Sequence, residues 1–176
     1  MKQQNQIIIS DNFLEQSHIA ELLSLSIEYS KVHWLGADAN PTNPLHLLIK
    51  KTKPNITVSG ATAWYNIRPI NPVEHSDIDS YCKNTWPKKP PEYTFLYYLK
   101  EATVGGKLHL ENGEIITCVK NRLVRFPADL RHKISSYKGN RISIGIIWWH
   151  DTPFSKNTKR NNTLVLDRPW AEKPHD

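Results

Sequence analysis

Apolar positions along this chain change their period near residue 60. Before it, Phe13, Leu14, Ile19, Leu22, Leu23 and Ile27 recur at near-helical spacing behind a short β-like run, Ile7–Ile9. Asp11 or Asn12 stands where a helix N-cap belongs. The spacing predicts a helix packed on a sheet. From Gly36 to Pro54, three prolines (Pro41, Pro44 and Pro54) stand among polar residues, predicting a loop with one short apolar piece at Leu45–Ile49. After Ala61 the runs become short and rich in β-branched and aromatic residues: Thr62–Ile67, Tyr93–Leu99, Lys107–Leu110, Glu114–Cys118, Arg122–Phe126, Lys133–Tyr137 and Arg141–Trp149. Gly105-Gly106, Asn112-Gly113 and Gly139-Asn140 separate several of them and tolerate the positive φ of tight turns. Successive short strands at this spacing predict an all-β sandwich or barrel. Beyond Asp151 the chain is polar until Leu164-Val165-Leu166, and an irregular covering segment is expected there.

A chain of 176 residues suits one domain with one core. The expected layout is a single domain over residues 1–176: helical support from 7 to 55, a β core from 61 to 150 and a covering tail from 151 to 176. No apolar run reaches the about 20 residues of a membrane-spanning helix. The polar start Met1–Gln6, followed by three isoleucines, is too short in apolar residues for a secretory signal, so a cytoplasmic location is expected. Cys82 and Cys118 form neither a disulfide framework nor a CxxC site. The net charge of +6 is scattered over Lys83, Lys88 and Lys89 and over Lys156, Lys159, Arg160, Arg168 and Lys173. That distribution suits a solvated surface better than a nucleic-acid footprint.

Chemistry enters with a pair. His75-Ser76-Asp77 places an imidazole and a carboxylate two positions apart, which on extended backbone turns both to one face. His132, after the apolar run Leu123–Phe126 and the turn-like Pro127-Ala128-Asp129, is placed to supply a third ligand from a distant strand. Two histidines and one carboxylate on one side of a metal leave neighbouring positions open, the pattern of non-haem iron(II) oxygenases, whereas structural zinc prefers a closed tetrahedron. His109-Leu110-Glu111 has suitable residue types but lies close before His132, and a strand-face role beside the Gly105-Gly106 turn is expected. Nine residues after His132, Arg141 opens the most apolar strand in the chain. A buried arginine there is costly unless paired, and its planar guanidinium matches a carboxylate bidentately.

From Tyr65 to Trp149 the chain resembles the iron(II)- and 2-oxoglutarate-dependent oxygenases, especially their prolyl-hydroxylase-like branch. The resemblance rests on His75-Ser76-Asp77, on Tyr93–Leu99 followed by Gly105-Gly106-Lys107-Leu108, on Asn121–Pro127, and on His132 through Arg141-Ile142-Ser143. It implies a double-stranded β-helix core, jelly-roll and cupin-like, with the N-terminal helix packed on its sheet. It also implies His75, Asp77 and His132 as Fe(II) ligands. Arg141 and Ser143 would grip the distal carboxylate of 2-oxoglutarate, with Tyr98 hydrogen-bonding it and Tyr65 lining the pocket. O2 is the other co-substrate, with ascorbate as a reductant. One departure is Arg141 itself, since collagen-type prolyl hydroxylases usually carry a lysine there, which favours bacterial, viral and oxygen-sensing relatives.

The implied reaction is hydroxylation of a prolyl residue in a peptide or protein, with release of succinate and CO2. Hydroxylation of a free amino acid or another small metabolite is the alternative, and a non-catalytic β-helix binding module is the alternative of another class. Nucleic-acid demethylation is disfavoured by Ile147, where that branch usually carries a second arginine. Tyr81 and Trp86 in the loop from Ile78 to Pro91 supply the aromatic surface on which a proline-containing segment could dock, and Gly36–Asn55 is expected to form another part of the mouth.

Overall fold

The computed structural model describes residues 6–25, 31–67, 73–78 and 90–151, together with the backbone of 163–167. Twelve strands and two helices are described: β1 (Ile8–Ser10), α1 (Gln16–Ser24), β2 (Lys31–Gly36), α2 (Pro44–Lys51), β3 (Gly60–Asn66), β4 (Tyr93–Lys100), β5 (Val104–Gly105), β6 (Leu108–Leu110), β7 (Ile115–Ile116), β8 (Arg122–Pro127), β9 (His132–Ile134), β10 (Tyr137–Lys138), β11 (Ile142–Trp149) and β12 (Thr163–Asp167). Seven strands form one sheet in the order β1-β8-β4-β11-β3-β2-β12, three form a second in the order β7-β6-β9, and β5 and β10 make a two-stranded ribbon.

The central strands β4 and β11 are apolar on both faces because both faces are covered. On the outer face, Phe95, Tyr97, Leu99, Ile144, Ile146 and Trp148 meet Ile19 and Leu22 of α1 and Leu45, Leu48 and Ile49 of α2. Each fully buried aliphatic side chain there contributes roughly 1.5–3 kcal/mol, so a few leucines suffice to hold two short helices on the sheet. On the inner face, Leu96, Tyr98, Val124 and Phe126 pack against Leu108, Leu110, Ile116 and Cys118, closing the second sheet over the first. A further inner cluster joins Val32, Trp34, Trp64, Ile147 and Trp149. Trp148 and Trp149 are core residues whose indole N–H groups donate to Thr52 and Thr62.

Three local expectations give way. Helix α1 begins at Gln16 rather than after Asp11 or Asn12, and Glu15 caps it without a side-chain bond. The reason is tertiary: Asn12 takes a φ of 54°, Asp11 is drawn to Arg122, and the Asn121 side chain binds both the N–H and the carbonyl of Leu14. The proline-rich segment from Gly36 to Pro54 contains a helix. Asn43 caps it by accepting from the His46 N–H at 2.9 Å and Pro44 occupies its first turn, both recognised helix-start signals. Its apolar side buries into the outer cluster, so this segment packs away from the inner face. In the tail, residues 163–167 form an edge strand paired to β2 rather than irregular chain. The loop carrying Tyr81 and Trp86, Cys82 and the tail lysines Lys156, Lys159 and Lys173 lie outside the described residues. No described helix is long and apolar enough to cross a membrane.

Candidate metal and anion site

His75 and His132 face each other across an antiparallel bridge, exchanging backbone hydrogen bonds of 3.0 and 2.8 Å. Their rings stand 4.6 Å apart, centroid to centroid. Each imidazole is oriented from behind in the same way: Nδ1–H donates at 3.0 Å to the carbonyl two residues earlier, Val73 for His75 and Leu130 for His132. A carbonyl can only accept, so these bonds fix the tautomer and leave the Nε2 lone pairs free for a ligand role. Both Nε2 atoms point at Asp77, 3.9 Å from Oδ1 for His75 and 3.9 Å from Oδ2 for His132.

Asp77 is buried and held by the Thr94 hydroxyl, which donates to Oδ2 at 2.6 Å. The three residues bring a ligand atom each to within 4.8 Å of one another. At metal–ligand bonds of about 2.1 Å, one ion reaches two atoms up to about 4.2 Å apart; each imidazole lies within that reach of one Asp77 oxygen, His75 of Oδ1 and His132 of Oδ2. Burial pushes the His132 imidazole below its ordinary range, against the opposing pull of the Asp77 carboxylate. It is thereby kept in the neutral form that a metal requires. Asp77 and His132 are buried while the His75 side chain is 46% exposed, so the set opens to one side.

A second pole lies on the same inner face. Strand period carries Thr94, Leu96 and Tyr98 to one side of β4, and Tyr98 stands opposite Ser143 of β11. The Arg141 side chain is 2% exposed. Its guanidinium carbon lies 5.2 Å from the Tyr98 ring centroid and 5.6 Å from that of Tyr137. Gly106 makes room for it: at a φ of 69°, an added Cβ would stand 2.9 Å from Arg141 Cδ. Arg141 Nε and Nη2, Tyr98 Oη, Tyr137 Oη and Ser143 Oγ are buried without a hydrogen-bond partner among the described residues. Burial pushes the Tyr98 phenol far above its usual range despite the guanidinium beside it. It remains a hydroxyl donor. Buried polar groups are ordinarily satisfied, and a concentration of orphaned donors around one arginine is the signature of a site for an anion.

Of the residues expected from sequence, His75, Asp77 and His132 come together, and Arg141, Ser143 and Tyr98 come together. Tyr65 joins neither group. It pairs with Ile144, one step out of phase with Ser143, and belongs to the outer cluster beneath the helices. His109 of β6 pairs with Lys133, while its neighbour Leu110 pairs with His132, so His109 faces away from the triad. Sequence reasoning missed Thr94 and Tyr137. Thr94 was accessible, because strand period places it on the Tyr98 face. Tyr137 had no comparable signal, since the β5–β10 ribbon brings it to Arg141.

No protein-family model matches the sequence, and no curated protein does. Solved structures are similar in fold. A Pseudomonas putida prolyl-4-hydroxylase superimposes with a TM-score of 0.59 at 13% identity, over 85% of this chain and 95% of its own. A Trichoplax adhaerens prolyl hydroxylase in complex with a hypoxia-inducible-factor oxygen-degradation-domain peptide fragment gives 0.55 at 19% identity, over 84% of each chain. The viral collagen prolyl hydroxylase of Paramecium bursaria Chlorella virus-1 gives 0.57 at 15% identity, over 81% of this chain and 90% of its own. The chain therefore has the double-stranded β-helix fold of these hydroxylases.

Proposed function

We propose that this chain is an Fe(II)- and 2-oxoglutarate-dependent dioxygenase that hydroxylates a prolyl residue in a peptide or protein. The observation that carries the reading is Arg141: a buried guanidinium with orphaned donors, on the same sheet face as a metal-competent His75–Asp77–His132 set. A cation left buried without a partner is costly, and a ligand with a chelating head and a remote carboxylate would satisfy both poles together. When bound, Fe(II) and 2-oxoglutarate supply O2 activation with release of succinate and CO2.

In this reading the chain's own residues have separable tasks. His75 and His132 present fixed Nε2 lone pairs, and Thr94 holds Asp77 in position to share the metal. Arg141, Ser143 and Tyr98, all buried, receive the remote carboxylate away from bulk solvent, which strengthens every charge-assisted bond. The half-exposed His75 side marks where a substrate could approach. A peptide substrate is supported by the Trichoplax adhaerens structure, which holds a peptide fragment on the same fold.

The test has two stages. Succinate release dependent on Fe(II) and 2-oxoglutarate, measured without added substrate, separates an enzyme from a binding module that kept only the fold. Mass spectrometry after incubation with proline-containing peptides and with free proline then reads the substrate. A +16 Da product on peptide supports the proposal, while one on free proline alone replaces it with a small-molecule hydroxylase.

A further inference from the structure

Three walls of the Arg141 pocket are the ones the fold provides: Arg141 itself just ahead of β11 with Ser143 on that strand, Tyr98 from β4, and Gly106. The fourth comes from outside both main sheets. Tyr137 sits on β10, opposite Gly105 in the β5–β10 ribbon, which is tied down by bonds from the Gly106 N–H to Ser136 and from the Thr103 N–H to Lys138. The residue is partly exposed, yet its hydroxyl is buried beside the Arg141 guanidinium and its proton has no acceptor among the described residues. The guanidinium lies between this ring and that of Tyr98, at 5.6 and 5.2 Å. A phenylalanine would fill the same space without hiding a hydroxyl from water, so packing does not account for the oxygen.

We infer that Tyr137 is a further co-substrate-binding residue, whose hydroxyl donates to the carboxylate held by Arg141 and closes the anion pocket from the ribbon side. The inference rests on the proposed function, since it assigns a donor to the same carboxylate. Burial raises the Tyr137 phenol above its usual range, with Arg141 opposing, which keeps the group a donor at neutral pH. The ionised carboxylate can accept from several donors at once. Its second phenol would make recognition depend on the ribbon's placement as well as on the main sheet.

The experiment is calorimetric titration of 2-oxoglutarate into the Mn(II)-loaded protein, wild type against Tyr137→Phe, so that binding is read without turnover. The expected result is an affinity about tenfold weaker, the size of one lost hydrogen bond to a charged group, with Mn(II) affinity unchanged. The metal-free, ligand-free variant should melt within a degree or two of the wild-type temperature, because the hydroxyl proton it loses has no acceptor among the described residues. An affinity within twofold of wild type overturns the assignment, as does a fall in apo melting temperature of several degrees, which would give the hydroxyl a structural role. If Tyr137→Phe binds normally while Arg141→Ala does not, only this inference fails. If the wild-type protein itself does not bind 2-oxoglutarate, the reading of the whole site fails with it.

Discussion

Tyr97 and Tyr98 are neighbours on β4, both buried, and they face opposite ways into two different kinds of interior. On the outer face the Tyr97 hydroxyl donates to Asn121 Oδ1 at 3.0 Å. Asn121 also binds the N–H and carbonyl of Leu14, so the chain entering α1 is locked to the sheet through one amide. On the inner face the Tyr98 hydroxyl has no partner among the described residues, and neither have Ser143 Oγ and two nitrogens of Arg141. The Tyr97 hydroxyl settles on a neighbour and helps hold the fold. Elsewhere on the inner face polar atoms do pair, Thr94 with Asp77 and Trp149 with Thr62, so the unmatched atoms there gather around Arg141. Hydrogen-bond accounting thus tells these two tyrosines apart, where burial alone cannot, since both are fully hidden.

The sharpest break between the two faces is expected at Asp77. Asp77→Ala removes the central ligand and should reduce iron- and 2-oxoglutarate-dependent succinate release to background, while circular dichroism and melting show an intact fold. Nothing on the outer face depends on that carboxylate. Retention of full Mn(II) affinity in a His75→Ala, His132→Ala double variant would place the metal elsewhere and remove the basis for the comparison.

Arg141→Ala comes next. Deleting one partner of a buried charge pair costs about 3–5 kcal/mol, so 2-oxoglutarate affinity should fall roughly a hundredfold or more, with Mn(II) binding unchanged. Without ligand the variant should lose little stability, because the guanidinium has no described carboxylate to leave behind. Unchanged 2-oxoglutarate affinity would move the anion pocket away from the inner face.

How much of this was legible beforehand depended on whether the cause was local. His75, Asp77 and Arg141 stood out because chelation and carboxylate binding demand particular residue types; the extended backbone expected of the pair holds only at the His75 bridge, since Asp77 stands in a helical turn. Tyr65 misled because its face is set by register with β11, which brings Ile144 and not Ser143 opposite it. The start of α1 moved because Asn121, more than a hundred residues away, holds Leu14. In α2 the local signals were present in Asn43 and Pro44, but Pro44 was read together with Pro41 and Pro54 as the mark of a loop. The strand at 163–167 exists through its pairing with β2, which no local pattern announces.

The two tyrosines test the comparison directly. Tyr97→Phe should destabilise the protein by about 1 kcal/mol through one lost buried hydrogen bond, a melting shift of roughly 2–4 °C for a chain of this size, and leave 2-oxoglutarate affinity alone. Tyr98→Phe should do the reverse, keeping or raising the apo melting temperature and weakening 2-oxoglutarate about tenfold. Equal losses of stability in both variants would mean that the Tyr98 hydroxyl is satisfied in solution, and the two faces would no longer differ in kind.

The smallest effect belongs to the exposed corner ahead of α1, where Arg122, paired across the sheet with Tyr98, grips Asp11 through Nε at 2.6 Å and Nη2 at 2.8 Å. That contact lowers the Asp11 carboxyl below its ordinary 3.8, the hydrogen bond from Arg122 being the largest cause. A depressed carboxylate stabilises the folded state above its unfolded value and loses that contribution as pH falls through its folded value. The dependence therefore lies below about pH 3.8 and is flat at neutrality. Asp11 is half exposed, so solvent and salt screen the pair, and a double-mutant cycle with Asp11→Asn and Arg122→Gln should return no more than about 1 kcal/mol. Adding salt should shrink it further. A coupling of several kcal/mol, or one that persisted below the folded value of the carboxyl, would show that this corner is held by more than the pair, and that the entry to α1 relies on Asp11 as heavily as on Asn121.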